Sequence, residues 1–197
     1  MEKKLSILIC SITERESLLK NLLADLERQR TDDVEILVEI DNKVITTGAK
    51  RNVLLRRAIG DYIAFVDDDD KISEDYVPKI LEAIKTHPDC CGIEGEITHI
   101  VKVRMRRLSS RFSGHYKHAQ RRVQKFIHSI RYNRWFESND VYYRCPNHLN
   151  PVKREIALKV MFPDLNKEED KDYSFRLYPL LKTEQYIDGI IYFYRAG

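Results

Sequence analysis

The sequence has few cysteines and no long apolar run, and these absences exclude several classes of protein. Its four cysteines form no C-x-x-C pair and have no histidines at a spacing suited to zinc. This usage is typical of a reduced cytosolic protein. No apolar run approaches the roughly 18 residues of a membrane span, and the apolar stretch near the N-terminus is too short for a signal peptide. We therefore expect a cytoplasmic chain without a transmembrane segment.

The length and the charge balance limit how the chain is organised. It has 197 residues, of which 43% are hydrophobic, and this is enough for one substantial core but not for two. The net charge of +3 indicates little about partners, because the charges are distributed very unevenly along the chain. We expect a single domain over residues 1–197.

Apolar strand candidates alternate with helix candidates from the N-terminus onward. The predicted strands are 5–10, 34–40 and 61–66, and the predicted helices are 15–29 and 46–59. Strands separated by helices pair in parallel through right-handed crossovers, and the helices cover both faces of the sheet. The pattern predicts an α/β fold with a mostly parallel central sheet flanked by helices. Ligands of such sheets bind at the carboxyl ends of the strands.

The rest of the chain continues with both kinds of element. We predict helices from about Ser73, over 150–161 with Asn150 as the N-cap, and over 168–181, together with strands over 90–101, 139–145 and 186–194. No internal repeat or low-complexity linker interrupts them.

Four adjacent aspartates, Asp67 to Asp70, follow the third predicted strand. One interpretation is a solvated acidic turn that caps the next helix. A calcium-binding loop is excluded, because Ile72 and Pro78 stand where that loop needs a glycine and a glutamate. The other interpretation is a site for Mg²⁺ or Mn²⁺, which take one or two carboxylates together with substrate phosphates.

Five motifs, taken together, indicate one enzyme family. They are S-I-T-E-R at 11–15, Asp41 at the end of the second strand, G-A-K-R-N at 48–52, the G-D-Y-I strand leading into the aspartates at 60–70, and Glu169-Asp170 followed six positions later by Arg176. In this order, over most of the chain, they resemble the family 2 glycosyltransferases, which have the nucleotide-sugar-binding GT-A fold.

The resemblance implies a nucleotide-sugar donor, a UDP-sugar above all, and a divalent cation, Mn²⁺ or Mg²⁺. The donor-binding residues it implies are Thr13, Arg15, Asp41, Lys50, Arg51, Asn52, Asp67 and Asp68. Asp69 is the implied direct metal ligand, and Asp70 either ligates the metal or caps a helix. Alternatives stay open for three donor residues: Lys50 and Arg51 would be exposed on a solvated helix face, and Asp41 would shape a turn.

The resemblance also implies a base and an acceptor side. A hydroxyl acceptor loses a proton as it attacks, and Asp170 matches the family's carboxylate base. Glu169, Arg176 and His148 are the other residues placed on the acceptor side. The alternatives are that the acids of 168–172 enrich the start of a helix and that His148 is a structural residue of a turn.

The segment 101–136, here called the basic segment, contains eleven lysines and arginines, three histidines and no acid. Aromatic residues are interleaved with the cations, as on surfaces that bind phosphates, bases or sugars. Arg106 and Arg121 are its acceptor-side candidates. An anionic acceptor would be a glycan, a lipid-linked glycan at the inner face of the membrane, or nucleic acid. The alternative is a solvated helix pair whose cations balance the acidic site.

These observations predict a donor half over 1–100 and an acceptor half over 101–197. The expected function is metal-dependent, inverting transfer of a sugar from a nucleotide-diphosphate donor to a hydroxyl acceptor. The alternatives are a DNA-modifying glycosyltransferase that acts on a hydroxylated base, and a nucleic-acid-binding module on the same fold without catalysis.

Overall fold

The computed structural model of the chain describes residues 3–105 and 116–196. The strands in these residues are β1 (Leu5–Ile12), β2 (Val34–Asp41), β3 (Tyr62–Phe65), β4 (Lys71–Ile72), β5 (Cys90–Met105), β6 (Tyr116–His128), β7 (Phe136–Ser138), β8 (Val141–Arg144), β9 (Val152–Lys153) and β10 (Glu184–Ala196). The helices are α1 (Glu16–Glu27), α2 (Thr47–Arg57), α3 (Tyr76–Ala83), α4 (Arg154–Val160) and α5 (Glu169–Leu177).

The N-terminal part of the sheet is parallel. Strand β1 lies between β2 and β3, with Leu5 opposite both Val34 and Tyr62. Successive residues of a strand face opposite sides: Ile7 packs in the core that contains α1 and α3, and Leu8 packs in the core of α2, α4 and α5. Helices therefore cover both faces of β1, and the predicted α/β fold is confirmed.

The C-terminal part extends this sheet with parallel and antiparallel pairs. The strand order is β2-β1-β3-β9-β5-β6-β8-β7, and β10 pairs with β5 and β4 off this path. Strand β10 runs parallel to β5 and antiparallel to β4, with Tyr192 opposite Ile72. This pairing brings the last strand of the chain beside the turn that carries the four aspartates.

Some predicted boundaries were wrong. Helix α4 begins at Arg154 instead of Asn150, because Val152–Lys153 pairs with β3 as β9 and the Asn150 side chain donates to the Cys91 carbonyl at 2.9 Å. Helix α3 begins at Tyr76, after the unpredicted strand β4. The predicted helices 46–59 and 168–181 are confirmed, the latter as α5 and a following 3₁₀ turn.

The basic segment does not form a helix pair in the residues described. It contains the end of β5 and the whole of β6, which pair as a long antiparallel hairpin from Ile93 and His128 to Met105 and Tyr116. Gln124, Phe126 and His128 are buried while the residues between them are more exposed, which is the two-residue period of a strand. The helix-pair alternative was therefore wrong for these residues.

None of the helices within 3–105 and 116–196 is long and apolar enough to cross a membrane.

Candidate active site

The four aspartates after β3 lie in different environments. Asp68 and Asp70 are buried, whereas Asp67 and Asp69 keep part of their side chains exposed. The Asp68 carboxylate accepts hydrogen bonds from the Ser11 hydroxyl at 2.7 Å and from the Arg15 guanidinium at 2.9 Å. Arg15 also pairs with Asp69 at 3.1 Å. Opposite charges and separate hydrogen-bond partners, rather than bulk solvent, offset much of the repulsion in this cluster.

Asp70 is buried, and both of its carboxylate oxygens have partners inside the protein. The Tyr192 hydroxyl donates to one of its carboxylate oxygens and the Arg195 amide to the other, each at 2.8 Å. Burial, together with the charge of Asp67, raises the pKa of Asp70 to about 8. The structure thus places the predicted ligand Asp70 in contact with β10, because the parallel pairing of β10 with β5 brings Tyr192 beside the turn.

Asp67 belongs to a buried charge network centred on Arg51. The Arg51 guanidinium donates to Asp67 at 3.1 Å and to Glu169 at 3.0 Å, and it lies 5.4 Å from the centre of the Phe162 ring. The His148 Nε2 atom is 3.4 Å from the other oxygen of Asp67. Burial alone would raise the pKa of Asp67, but the positive charge of Arg51 and the contact with His148 outweigh it and lower that pKa well below its usual range.

Lys50 and Arg51 are buried, at 4% and 3% exposure, so the solvated-face alternative for them was wrong. Helix α2 is capped by Thr46, whose hydroxyl accepts from the Ala49 amide at 3.1 Å. From this start, the helix directs both cations towards the carboxyl ends of β1 and β3. Lys50 donates to the Ser11 carbonyl at 2.8 Å and to the Asp41 carboxylate. Buried charges of this kind need such partners.

Asp41 closes β2 and shapes the turn that follows. Its carboxylate accepts from the amides of Val44 at 2.8 Å and Ile45 at 2.9 Å, in addition to Lys50. The hydrogen bonds from Ile45 and Lys50 lower the pKa of Asp41 to about 2. These contacts show the turn-forming role of Asp41, and its role towards a nucleoside stays a prediction.

Two cavities meet at this charge network. The strand-end cavity, of about 420 Å³, lies at the carboxyl ends of β1 and β3 and is lined by Arg15, Lys50, Asp68 and Asp69 among others. The Asp170 cavity, of about 360 Å³, is lined by residues that include Asp170, His148, Arg144, His128 and Asn147. Four residues line both cavities and form the wall that they share: Arg51, Asp67, Glu169 and Tyr194.

The structure therefore brings together most of the predicted site residues but not all of them. Thr13 is exposed in a 3₁₀ turn, the Asn52 side chain binds the Phe162 backbone, and Arg176 donates to the Met161 carbonyl at 2.9 Å and to Asp172. Arg121 is exposed on β6. In the residues described, none of these four lines either cavity. Arg106 lies outside the described residues.

Sequence reasoning missed several residues of the site. Tyr194 lines both cavities, and Arg144 and His128 line the Asp170 cavity. The Arg144 guanidinium lies 4.3 Å from the centre of the Trp135 ring and 5.6 Å from that of Tyr142. The alternating aromatic residues of the last strand were the one local indication of Tyr194. Nothing local distinguished Arg144 from the other cations of the chain.

The carboxylates alone do not form a complete metal site. Among residues 3–105 and 116–196, no group of three or more His, Cys, Asp or Glu side chains converges on a possible metal position. Asp67 and Asp69 nevertheless line the same strand-end cavity, and 26% and 32% of their side chains are exposed. This arrangement fits Mg²⁺ or Mn²⁺ held by one or two carboxylates together with the phosphates of a ligand.

Comparisons with known proteins agree with the fold and the motifs. The family model described as glycosyl transferase family 2 matches residues 45–145. The putative glycosyltransferase EpsH of Bacillus subtilis (strain 168) is 25% identical over 226 residues, which cover 99% of this chain and 62% of the relative.

Solved structures with the same fold include two of S. aureus TarS 1–349. The complex with UDP has a TM-score of 0.66 at 16% identity and covers 98% of this chain and 61% of that one. The complex with UDP-GlcNAc has the same TM-score and identity, with 98% and 59% coverage. The chain thus spans about three fifths of the length of these relatives.

Proposed function

The chain belongs to glycosyl transferase family 2, and on that premise we propose that it transfers a sugar from a nucleotide-diphosphate donor to a hydroxyl acceptor. The observation that carries the proposal is the shared wall of two cavities, formed by Arg51, Asp67, Glu169 and Tyr194. One cavity offers cations to a diphosphate, and the other offers the Asp170 carboxylate to a hydroxyl. A sugar that spans the wall would be in reach of both.

The strand-end cavity suits the diphosphate of the donor. Arg15 and Lys50 line it, and Arg15 keeps 45% of its side chain exposed. Arg15 can therefore exchange part of its pairing with Asp68 and Asp69 for contacts with phosphate oxygens. Two structural neighbours of the chain were solved with UDP and with UDP-GlcNAc, which supports a UDP-sugar as the donor.

We assign Asp69, with Asp67, to a bound Mn²⁺ or Mg²⁺. When bound, the cation would stabilise the negative charge that develops on the departing diphosphate. Asp69 has the more exposed carboxylate, and its partner in the structure is the half-exposed Arg15. Asp70 is left out of this assignment because it is buried, accepts hydrogen bonds from Tyr192 and Arg195, and lines neither cavity.

Asp170 is the proposed base. Its Oδ1 atom accepts from the Lys171 amide at 2.8 Å, and the side chain lines the Asp170 cavity. The acceptor oxygen forms a bond to the anomeric carbon as the bond to the diphosphate breaks, and the hydroxyl proton passes to Asp170. Arg51 positions this step by holding Glu169, the neighbour of Asp170 at the start of α5. A single displacement of this kind inverts the anomeric centre.

The described cations of the basic segment support an anionic acceptor. Arg121 and Arg122 are exposed on β6, and Lys125 is partly exposed on the same strand. Arg122 pairs with the exposed Asp140 and Lys125 with Glu94, so an acceptor anion would compete with these carboxylates. We propose that residues 1–100 bind the donor and that residues 101–197 bind the acceptor within a single domain.

The donor assignment is tested by titration calorimetry with UDP and UDP-GlcNAc, each with MnCl₂ and with EDTA. We expect the parent protein to bind both more tightly with Mn²⁺, and Asp69→Asn to lose most of that gain without a change in thermal stability. The control is Asp61→Asn, which removes an exposed aspartate from the opposite end of β3. Equal Mn²⁺-dependent affinity in the parent and Asp69→Asn would refute the metal assignment, and no affinity for either ligand would refute the donor.

A further inference from the structure

The Asp170 cavity is lined by Arg144, a cation that makes no ion pair in the described residues. We infer that Arg144 binds an oxyanion of the acceptor, a carboxylate or a phosphate, close to the hydroxyl that Asp170 deprotonates. The identity of this ligand as the acceptor depends on the proposed function, whereas the binding of an oxyanion to Arg144 can be tested without it.

Arg144 is positioned by aromatic rings instead of by acids. Its guanidinium lies over Trp135, and the Trp135 indole donates to the Ser174 hydroxyl at 3.2 Å. In the described parts of the chain, Arg144 makes no ion pair, whereas Arg15, Lys50 and Arg51 each pair with at least one carboxylate. A guanidinium stacked in this way is oriented, and its N–H groups stay available for a planar oxyanion.

The cavity that Arg144 lines also contains polar atoms without hydrogen-bond partners. Among the described residues, both ring nitrogens of His128, the Nδ2 atom of Asn147 and the Nδ1 atom of His148 are buried without a partner at hydrogen-bonding geometry, although the Asn147 and Asn150 side chains lie beside the His128 ring. The side chains of His128, Asn147 and His148 are at most 5% exposed and line the Asp170 cavity. Buried polar groups are nearly always hydrogen-bonded, so these atoms indicate a ligand with several hydrogen-bonding groups.

His128 is suited to hydroxyl groups and not to the anion itself. Burial lowers the pKa of His128 well below its usual value, and the positive charge of Arg144 lowers it further. A neutral imidazole offers one donor and one acceptor. The cavity therefore combines an oriented cation with neutral polar groups, a combination that matches a sugar or polyol carrying one acidic group.

The anion in question is distinct from the donor diphosphate. Arg144 lines the Asp170 cavity but not the strand-end cavity, which has Arg15 and Lys50. Asp170 lines the same cavity as Arg144, and its negative charge acts on the guanidinium, but in the described residues the two side chains make no direct ion pair. Arg144 is thus a specificity residue for the acceptor, on the same side of the shared wall as the base.

The chain offers its own reporter for this binding. Trp135 is the one tryptophan of the sequence, and it is in direct contact with Arg144. The probes are methyl β-glucuronide and glycerol 3-phosphate, with methyl β-glucoside and glycerol as their neutral counterparts. We expect the anionic probes to change Trp135 fluorescence in a saturable way and the neutral ones not to. Saturation-transfer NMR of the probes gives a second measurement that does not depend on the tryptophan.

Arg144→Gln should reduce affinity for the anionic probes roughly 10- to 100-fold, the usual effect of losing a charge-assisted hydrogen bond. Arg144→Lys keeps the charge and should retain part of the affinity, which separates binding from misfolding. The control is Arg134→Gln, which removes an exposed arginine next to Trp135 in the sequence. Thermal melting checks that all three variants fold.

The outcomes separate the two sources of the anion. Binding of the glucuronide alone supports an acidic sugar, binding of glycerol 3-phosphate alone supports a phosphorylated acceptor, and both support a general oxyanion site. Equal affinity of Arg144→Gln and the parent for these probes, or equal binding of the neutral probes, would overturn the inference. Anion binding without any binding of UDP or UDP-GlcNAc would refute the proposed donor and leave the Arg144 site intact.

Discussion

The strand-end cavity and the Asp170 cavity share one wall but balance their charges differently. In the strand-end cavity, Arg15 and Lys50 each pair with an aspartate, and Arg51 in the wall pairs with two acids. In the Asp170 cavity, Arg144 and Asp170 influence each other through their charges but make no direct ion pair within the described residues. The charged groups of the strand-end cavity are thus neutralised by partners in the protein, whereas Arg144 and Asp170 in the Asp170 cavity remain available to a ligand.

This difference separates two uses of a buried charge. A paired charge at a strand end contributes to the folded structure even before a ligand binds, and its loss leaves a partner unpaired. A charged side chain that lines a cavity without a partner receives little stabilisation from the protein, so we take its presence there to indicate a bound ligand. Loss of a buried paired cation of the strand-end cavity or its wall, Lys50 or Arg51, should therefore reduce stability, whereas changes to Arg144 or Asp170 should reduce ligand binding or activity.

The largest expected effect is on the chemical step. Asp170→Asn removes the proton acceptor but keeps the shape of the side chain, so transfer should fall on the order of 100- to 10,000-fold while stability stays nearly constant. The measurement is single-turnover release of UDP from UDP-GlcNAc, because product release often limits steady-state turnover.

The matched control for this prediction is Asp172→Asn. Asp172 lies on the same helix, is exposed and pairs with Arg176 at 2.6 Å, so its loss should have little effect on transfer. Equal impairment of the two variants would mean that the acids at the start of α5 act through the helix and not as a base.

Next in size is the effect of the buried cation in the shared wall. Arg51→Gln would leave Asp67 and Glu169 without their common partner, and breaking a buried pair in this way costs about 3–5 kcal/mol of unfolding free energy. Urea denaturation gives the measurement.

Arg57→Gln is the control for Arg51→Gln. Arg57 lies on the same helix as Arg51 and makes an exposed pair with Glu39 of β2, so its replacement should lower the free energy of unfolding by at most about 1 kcal/mol. If the two variants lost the same free energy of unfolding, the buried pairs of Arg51 with Asp67 and Glu169 would not stabilise the fold more than an exposed pair does.

The smallest effect concerns Asp41 and depends on pH. Asp41→Asn should lower the free energy of unfolding at pH 7 by about 1–3 kcal/mol, because Lys50 loses its charged partner. The pKa of Asp41 falls from 3.8 to about 2 on folding, so its stabilising effect is complete above 3.8 and is lost as the pH falls towards 2.

The difference between the parent and Asp41→Asn in urea denaturation should therefore narrow between pH 4 and pH 2. Asp33→Asn is the control, because it breaks an exposed pair with Lys4. A difference that stayed constant over this range would show that the Asp41 carboxylate does not stabilise the fold through its charge.

Local patterns predicted much of the fold and part of the site. The alternation of apolar strands and helices gave the parallel arrangement of β1, β2 and β3, and the position after β3 placed the aspartates at a cavity. The same reasoning misplaced the start of α4, because Val152 pairs with Ile63 of a distant strand. It also left the basic segment open as a helix pair, although Gln124, Phe126 and His128 follow the period of a strand.

The sequence by itself determined which residue types lie at the strand ends, because hydrophobic period and turn chemistry are local properties. Only the tertiary structure decided which charges are paired. Arg51 and Glu169 are 118 residues apart in the chain, and Asp70 and Tyr192 are 122 apart. The first contact depends on the packing of α5 against α2, and the second depends on the position of β10 beside β5. In the same fold, Arg144 lies on Trp135 and makes no ion pair in the described residues. No local pattern contains that information, since the pairing of a charge depends on its neighbours in space.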